Sequence, residues 1–245
     1  MFKNIFFRTV TAMTALLTVI GILLALSLPK LIDTINTNSM TSHKNITVII
    51  DAGHGGEDGG AVGDDGTLEK DLNLDIALNL SDMLQANGIN VIMTRTQDIM
   101  LYDRNEDYNG KKKVLDLKAR LEIANHNPDA LFISIHMNAF PQKKYDGLQV
   151  YFPLGDTESE ALATIIQNNV KNTIQPKNLR RPKGAGSNIY LLNKSQNTSV
   201  LVECGFLSND AECSKLNSPA YRQQLALILC NSIIEYISQD SNKKY

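Results

Sequence analysis

The sequence predicts a single α/β domain, a mostly parallel or mixed six-stranded sheet with helices on both faces, preceded by an N-terminal hydrophobic segment. Three observations lead there. Short β-branched runs alternate with longer stretches in which leucine or isoleucine recurs every four residues. The apolar share, 43%, is enough to bury a core. The length, 245 residues, suits one domain with extensions at its ends.

The chain begins with a membrane signal. Thr9 to Leu28 carries no charge and lies between Arg8 and Lys30; as a helix rising about 1.5 Å per residue it would span about 30 Å. Lys3 and Arg8 precede it, which favours a cytoplasmic N-terminus and export of everything downstream. Residues 1–29 therefore read as a signal or membrane-anchor segment. Ala25-Leu26-Ser27 offers small residues for a signal peptidase, and the length of the run favours a retained anchor. Residues 30–44, with Asp33, Asn36, Thr37, Asn38, Ser39 and Ser42, read as a polar tether, and residues 239–245 as a polar tail. The folded domain is residues 45–238.

Within it, Ile46 to Ile50 is a buried strand. A loop follows that holds glycines 53, 55, 56, 59, 60, 63 and 66. Leu68, Leu72, Ile76, Leu80 and Leu84 then mark an amphipathic helix with Thr67 as N-cap and Gly88 as stop. Ile89 to Met93 is the second strand. Val114, Leu117, Leu121 and Ala124 define a helix ending before Pro128. Leu131 to Ile135 and Leu148 to Phe152 are strands, and Leu162, Ile166, Val170 and Ile174 a helix stopped by Pro176. Ile189 to Leu192 and Val200 to Val202 are the last strands, and Leu225, Leu229, Ile233 and Ile237 the last helix.

Composition removes several classes of function. A net charge of −2 argues against a nucleic-acid binder working through a basic surface. Three cysteines are too few for a disulfide-stapled scaffold. The glycine loop lacks the Gly-Lys-Ser/Thr ending of a phosphate loop, and Asp58 stands where a dinucleotide fingerprint needs its third glycine.

In such sheets ligands gather beyond the carboxyl ends of strands. His54 follows the first strand, His136 ends the third, and Glu203 ends the last, while Glu69 opens the first long helix at the same rim. Two imidazoles and a carboxylate are a common ligand set for a catalytic zinc with an open position, and a further carboxylate can serve as general base. Spacing leaves open which glutamate is ligand and which is base. Singly, each residue has a structural explanation: a hydrogen-bonded histidine, or a glutamate answering a helix dipole. A carboxylate ending an apolar strand is harder to dismiss, because an unpaired buried charge is costly. His43 falls in the tether, and His126 reads as a charge at a helix C-terminus. Alternation along the strand turns Cys204 away from Glu203, as a buried inert thiol; a bridge from Cys204 to Cys213 would leave Cys230 free. Lys111, Lys112, Lys113, Arg180, Arg181 and Lys183 read as solvated loop residues, with a second use if the ligand is a polymer carrying carboxylates.

At these residues the sequence resembles the zinc-dependent N-acetylmuramoyl-L-alanine amidases of bacterial cell walls. The matching stretches are IDAGHGGEDGGAVG (50–63), TLEKDLNL (67–74), VIMTR (91–95), SIHMNA (134–139) and SVLVECGFLSN (199–209), running in order over residues 46–237. The resemblance implies a helix-flanked α/β sheet, one zinc ion held by His54, Glu69 and His136, and Glu203 as the catalytic carboxylate. Residues 45–238 are then the zinc amidase domain, an extracytoplasmic hydrolase of the bond between the lactyl group of N-acetylmuramic acid and L-alanine in peptidoglycan. Cys204 departs from the aliphatic residue usual there. One catalytic domain behind one hydrophobic segment, and the lysines before Val114-Leu115-Asp116-Leu117, resemble the sporulation and germination-specific CwlD type. That implies a part in making muramic-δ-lactam in spore cortex at the forespore envelope, a lipoprotein partner, and either membrane anchoring or secretion. The rival readings are a zinc peptidase acting on wall peptides and a non-catalytic wall-binding scaffold.

Overall fold

The structure, a computed structural model, describes residues 46–102 and 110–243. The expected signal or anchor segment and the tether lie outside the described residues. Among the described residues no helix is long and apolar enough to cross a membrane.

Among the described residues six strands form one mixed sheet: β1 (Thr47–Ala52), β2 (Asn90–Met93), β3 (Leu131–Asn138), β4 (Gln149–Phe152), β5 (Lys183–Gly184) and β6 (Ser199–Phe206), in the order β2-β1-β3-β6-β4-β5. β2, β1, β3 and β6 are parallel, and β4 turns antiparallel to β6. Among the described residues six helices cover it: α1 (Glu69–Ala86), α2 (Lys112–Asn125), α3 (Thr157–Thr173), α4 (Tyr190–Lys194), α5 (Asp210–Leu216) and α6 (Pro219–Lys243).

Side-chain alternation divides each central strand between two layers. On one face Val48, Ile50, Ile133, Ile135, Val200 and Val202 pack with Leu72, Ile76, Leu80 and Leu84 of α1, Leu162 and Ile166 of α3, and Leu225, Leu229 and Ile233 of α6. On the other, Ile49 and Phe132 meet Ala124 of α2 and Leu191 of α4. Leu80 is wholly buried, so trimming it to alanine would cost about 2–5 kcal/mol. Gly88 stops α1 as expected: at φ +76° it lets Ile89 N–H reach the Leu84 carbonyl (3.1 Å) and its own N–H the Gln85 carbonyl (2.9 Å).

Two expectations are corrected. Ile189 to Leu192 is not a strand: Leu191 and Leu192 serve two different apolar clusters, and the segment coils into α4, with Asn193 N–H on the Ile189 carbonyl (3.2 Å) and the Asn193 amide on those of Gly186 and Ile189. The sixth strand is instead the two-residue β5, on the edge beside β4. Nor does Thr67 cap α1. Leu68 holds the N-cap position with no side-chain cap, and the glycine loop does the work: Glu69 N–H donates to the Ala61 carbonyl (2.9 Å) and Lys70 N–H to that of Gly59 (3.2 Å). This ties the start of α1 to the loop after β1. α5, capped by Asn209, was not foreseen.

Candidate metal centre

The site is built where β1, α1, β3 and β6 meet. Gly53 N–H donates to the Ile135 carbonyl (3.0 Å), laying the chain after β1 against β3. A side chain on Gly53 could not be housed, since a Cβ there would stand 2.3 Å from the His136 ring. The next residue, His54, has a left-handed backbone with φ 61°, a conformation costing a non-glycine residue about 1–3 kcal/mol unless its surroundings enforce it. They do. The Arg120 guanidinium donates to the His54 carbonyl (2.7 Å), and Asp58 meets the His54 Nδ1 (2.9 Å).

That bond leaves His54 Nε2 facing Glu69 Oε1 at 3.2 Å, while His136 Nδ1 lies 2.9 Å from the same oxygen. The two imidazoles cross edge-on, centroids 4.9 Å apart. Met137 N–H donates to Glu69 Oε1 (2.9 Å) and Ala61 N–H to Oε2 (2.7 Å), so the buried carboxylate is held by backbone as well as by the histidines. The three candidate donor atoms fall within 4.8 Å of one another.

Glu203 lies on β6 in direct register with His136 on β3. Its Oε2 is buried and, among the described residues, has no hydrogen-bond partner. Neither residue ends its strand, as the sequence had implied: β3 runs on to Asn138 and β6 to Phe206, because Cys204 and Phe206 beyond the glutamate are themselves buried. A cavity of about 250 Å³ opens beside these groups, walled by Leu117, Leu191 and Leu201, with Lys113 and Tyr190 also lining it.

Protonation follows from this packing. Burial alone would lower the His54 pKa, but hydrogen bonds to Asp58 and Glu69 outweigh it and raise it to about 9. Burial would raise Glu69, yet its bonds with His136 and His54 hold it well below the ordinary carboxylate range. Glu203 is pushed up to about 7 by burial; His136 and His54 oppose the rise and Glu69 adds to it. Two imidazoles and a carboxylate aimed at one point, beside an unsatisfied buried carboxylate oxygen, fit a divalent cation with an open coordination position.

A second layer escaped sequence reasoning. Arg120, almost wholly buried, binds Asp51 (2.6 Å), Asp116 (2.8 Å) and the Ala52 carbonyl (2.8 Å). Ser134 and Thr94 hydroxyls complete Asp51 at 2.7 and 2.8 Å, and Arg95 donates to the carbonyls of Ala52, Gly53 and Lys70. The available signal was Asp116 and Arg120, one helical turn apart among the apolar residues of α2. Cys204 is a buried free thiol, as are Cys213 and Cys230, and burial raises the Cys204 pKa. His126 takes the C-cap position of α2, its Nδ1 2.7 Å from the Glu122 carbonyl.

A family model described as N-acetylmuramoyl-L-alanine amidase matches residues 48–235. The chain belongs to the N-acetylmuramoyl-L-alanine amidase family. The germination-specific N-acetylmuramoyl-L-alanine amidase of Bacillus subtilis is 36% identical over 192 residues, 78% of this chain and 80% of that protein. The solved structure of the CwlD amidase from Clostridioides difficile, in complex with the GerS lipoprotein, is 41% identical and superposes with a TM-score of 0.75 over 79% of this chain and 99% of that one. The amidase AmiC2 of Nostoc punctiforme is 30% identical, with a TM-score of 0.69 over 80% and 99%. As a family member, this amidase is a hydrolase of peptidoglycan, on the mixed α/β sheet those structures share.

Proposed function

We propose that this amidase is zinc-dependent, with the ion held by His54 Nε2, His136 Nδ1 and Glu69, and with Glu203 as its general base. The observation that carries the reading is the convergence of those donor atoms within 4.8 Å beside the unpartnered Glu203 oxygen. Zinc bound there supplies Lewis acidity, which makes hydroxide available near neutral pH and polarises a carbonyl. The chain's own residues do the rest. Asp58 fixes the His54 ring and leaves its Nε2 facing inward. Glu203 accepts the proton of the attacking water at its unpartnered oxygen as the lactyl carbonyl of N-acetylmuramic acid is attacked. It then returns that proton to the departing nitrogen of L-alanine.

The likeness to a germination-specific amidase and to CwlD supports a part in spore cortex maturation, where removal of stem peptides precedes muramic-δ-lactam formation. The GerS complex supports a lipoprotein partner for this chain as well. Its place is extracytoplasmic, with residues 1–29 as membrane anchor or signal.

Mass spectrometry of sacculi digested by wild-type and Glu203→Ala protein, alongside zinc quantification, tests the reading. The wild type should release N-terminal alanine from lactyl muramic acid, and the variant should keep its zinc and lose turnover. Cleavage at an ordinary peptide bond would identify a peptidase instead. A metal-free, inactive wild type, even with a lipoprotein partner present, would indicate a scaffold.

A further inference from the structure

Arg180 is a cation without a carboxylate. Among the described residues it forms no ion pair: its Nε donates to the Asp146 carbonyl (2.9 Å), and its guanidinium lies over the Phe206 ring, 4.8 Å from the centroid. Around the glycine loop, Lys70 pairs with Asp98, Lys112 with Glu57 and Lys113 with Asp58.

The position of Arg180 is fixed on both sides. Its backbone N–H donates to Asn178 Oδ1 (3.0 Å), and the Asn178 amide is anchored on the Leu148 carbonyl (2.9 Å). The neighbouring Arg181 carbonyl accepts from Gln149 (2.7 Å), and Gln149 is the register partner of Glu203 across β4 and β6. Below it, Phe206 packs against Phe140 and Tyr145. A bulge separates the register pairs His136–Glu203 and Asn138–Phe206. Since His136 and Asn138 share a face of β3, their partners share a face of β6. Phe206, with the guanidinium above it, therefore stands on the Glu203 side of the sheet. Burial and the Glu203 charge raise the Tyr151 hydroxyl while Arg180 lowers it, so both charges reach that one group.

The register sets Glu203 and Phe206 two β3 positions apart, about 7 Å along the sheet. A peptide running outward from the scissile nitrogen covers that span, and the further reach to the guanidinium, in about two or three residues. We infer that Arg180 is a specificity-determining residue, a guanidinium seat for a free carboxylate carried by the stem peptide two or three residues beyond the bond that is cut. This rests on the amidase reading above. Among the described residues neither terminal nitrogen of Arg180 is bonded; a planar guanidinium so placed grips a carboxylate through two parallel bonds, and stacking on Phe206 keeps its fork oriented.

The test compares one muropeptide with its amidated counterpart, in which that carboxylate is a carboxamide. Full-length wild type should show a kcat/KM about tenfold higher for the free acid. Arg180→Gln should bring the acid-to-amide ratio close to one, Arg180→Lys should retain part of it, and Arg181→Gln should keep it whole. An unchanged ratio in Arg180→Gln, or an equal fall in Arg181→Gln, would overturn the inference. Calorimetric binding of both muropeptides to the zinc-loaded Glu203→Ala protein reads the same preference without turnover. Lack of hydrolysis by the wild type would thus count against the amidase reading alone, and equal binding of acid and amide against the carboxylate seat alone.

Discussion

His136 of β3 and Glu203 of β6 are direct register partners in the sheet. A candidate ligand and a candidate base are thereby spaced by backbone hydrogen bonds and not by loops. Neighbouring strands sit about 4.8 Å apart, so the distance between the two side chains is set by the most rigid part of the molecule.

Glu203→Asp draws the carboxylate back by one methylene while leaving its charge and the three donor atoms in place. Loss of that reach should lower kcat about 100-fold, with zinc content unchanged by elemental analysis. Loss of zinc from this variant would mean that Glu203 is a ligand.

Asp58 holds the His54 ring through Nδ1 at 2.9 Å. Asp58→Ala should weaken zinc binding about 10- to 100-fold, the usual cost of removing a partner behind a metal-bound histidine. Competition with a chromogenic chelator measures it.

In the zinc-free protein His54 keeps its proton up to about pH 9. Zinc must displace that proton, so affinity should climb with pH until about 9 and then level off. Stability of the zinc-free protein follows the opposite course. A histidine raised on folding contributes its stability below the unfolded value of about 6.5, and that contribution is lost as pH rises towards 9. Thermal melts from pH 6 to 9.5 should show Tm falling without zinc and holding with it.

Gly53→Ala places a methyl where the His136 ring lies. The ring must swing away, and the expected product is a folded protein with wild-type far-UV circular dichroism, little zinc and little activity. Full zinc occupancy would show that the ring can be accommodated elsewhere.

Arg120→Met strands the buried Asp51 and frees the His54 carbonyl. Removing one partner of a buried ion pair costs about 3–5 kcal/mol, to be read as a lower urea midpoint. The accompanying double change Asp51→Asn should recover part of that loss.

The parts legible in the sequence were those with a local period. Leu72, Ile76, Leu80 and Leu84 announce α1 because one helix face meets one apolar layer. Ile189 to Leu192 misled because its apolar residues serve two clusters at once, which over four residues looks like a strand. β5, at two residues, is too short to carry any period. In the site, His54, His136 and Glu203 stood out as polar groups beside apolar strands. The charge of Glu203 interrupts the apolar run and so marks a strand end in the sequence, whereas the strand carries it onward. The supports were invisible for a different reason. Arg120 meets Asp51 69 positions away, and Arg95 meets Gly53 42 positions away; no window along the chain contains both partners.

The three candidate donors come from the loop after β1, the first residue of α1 and the C-terminal half of β3, and the three cysteines remain thiols. An ion seated among those donors acts as a removable clasp on a fold that has no covalent one. On the proposed zinc reading, a chelator should act as a mild denaturant of this protein, and its heat tolerance should gauge how full that seat is.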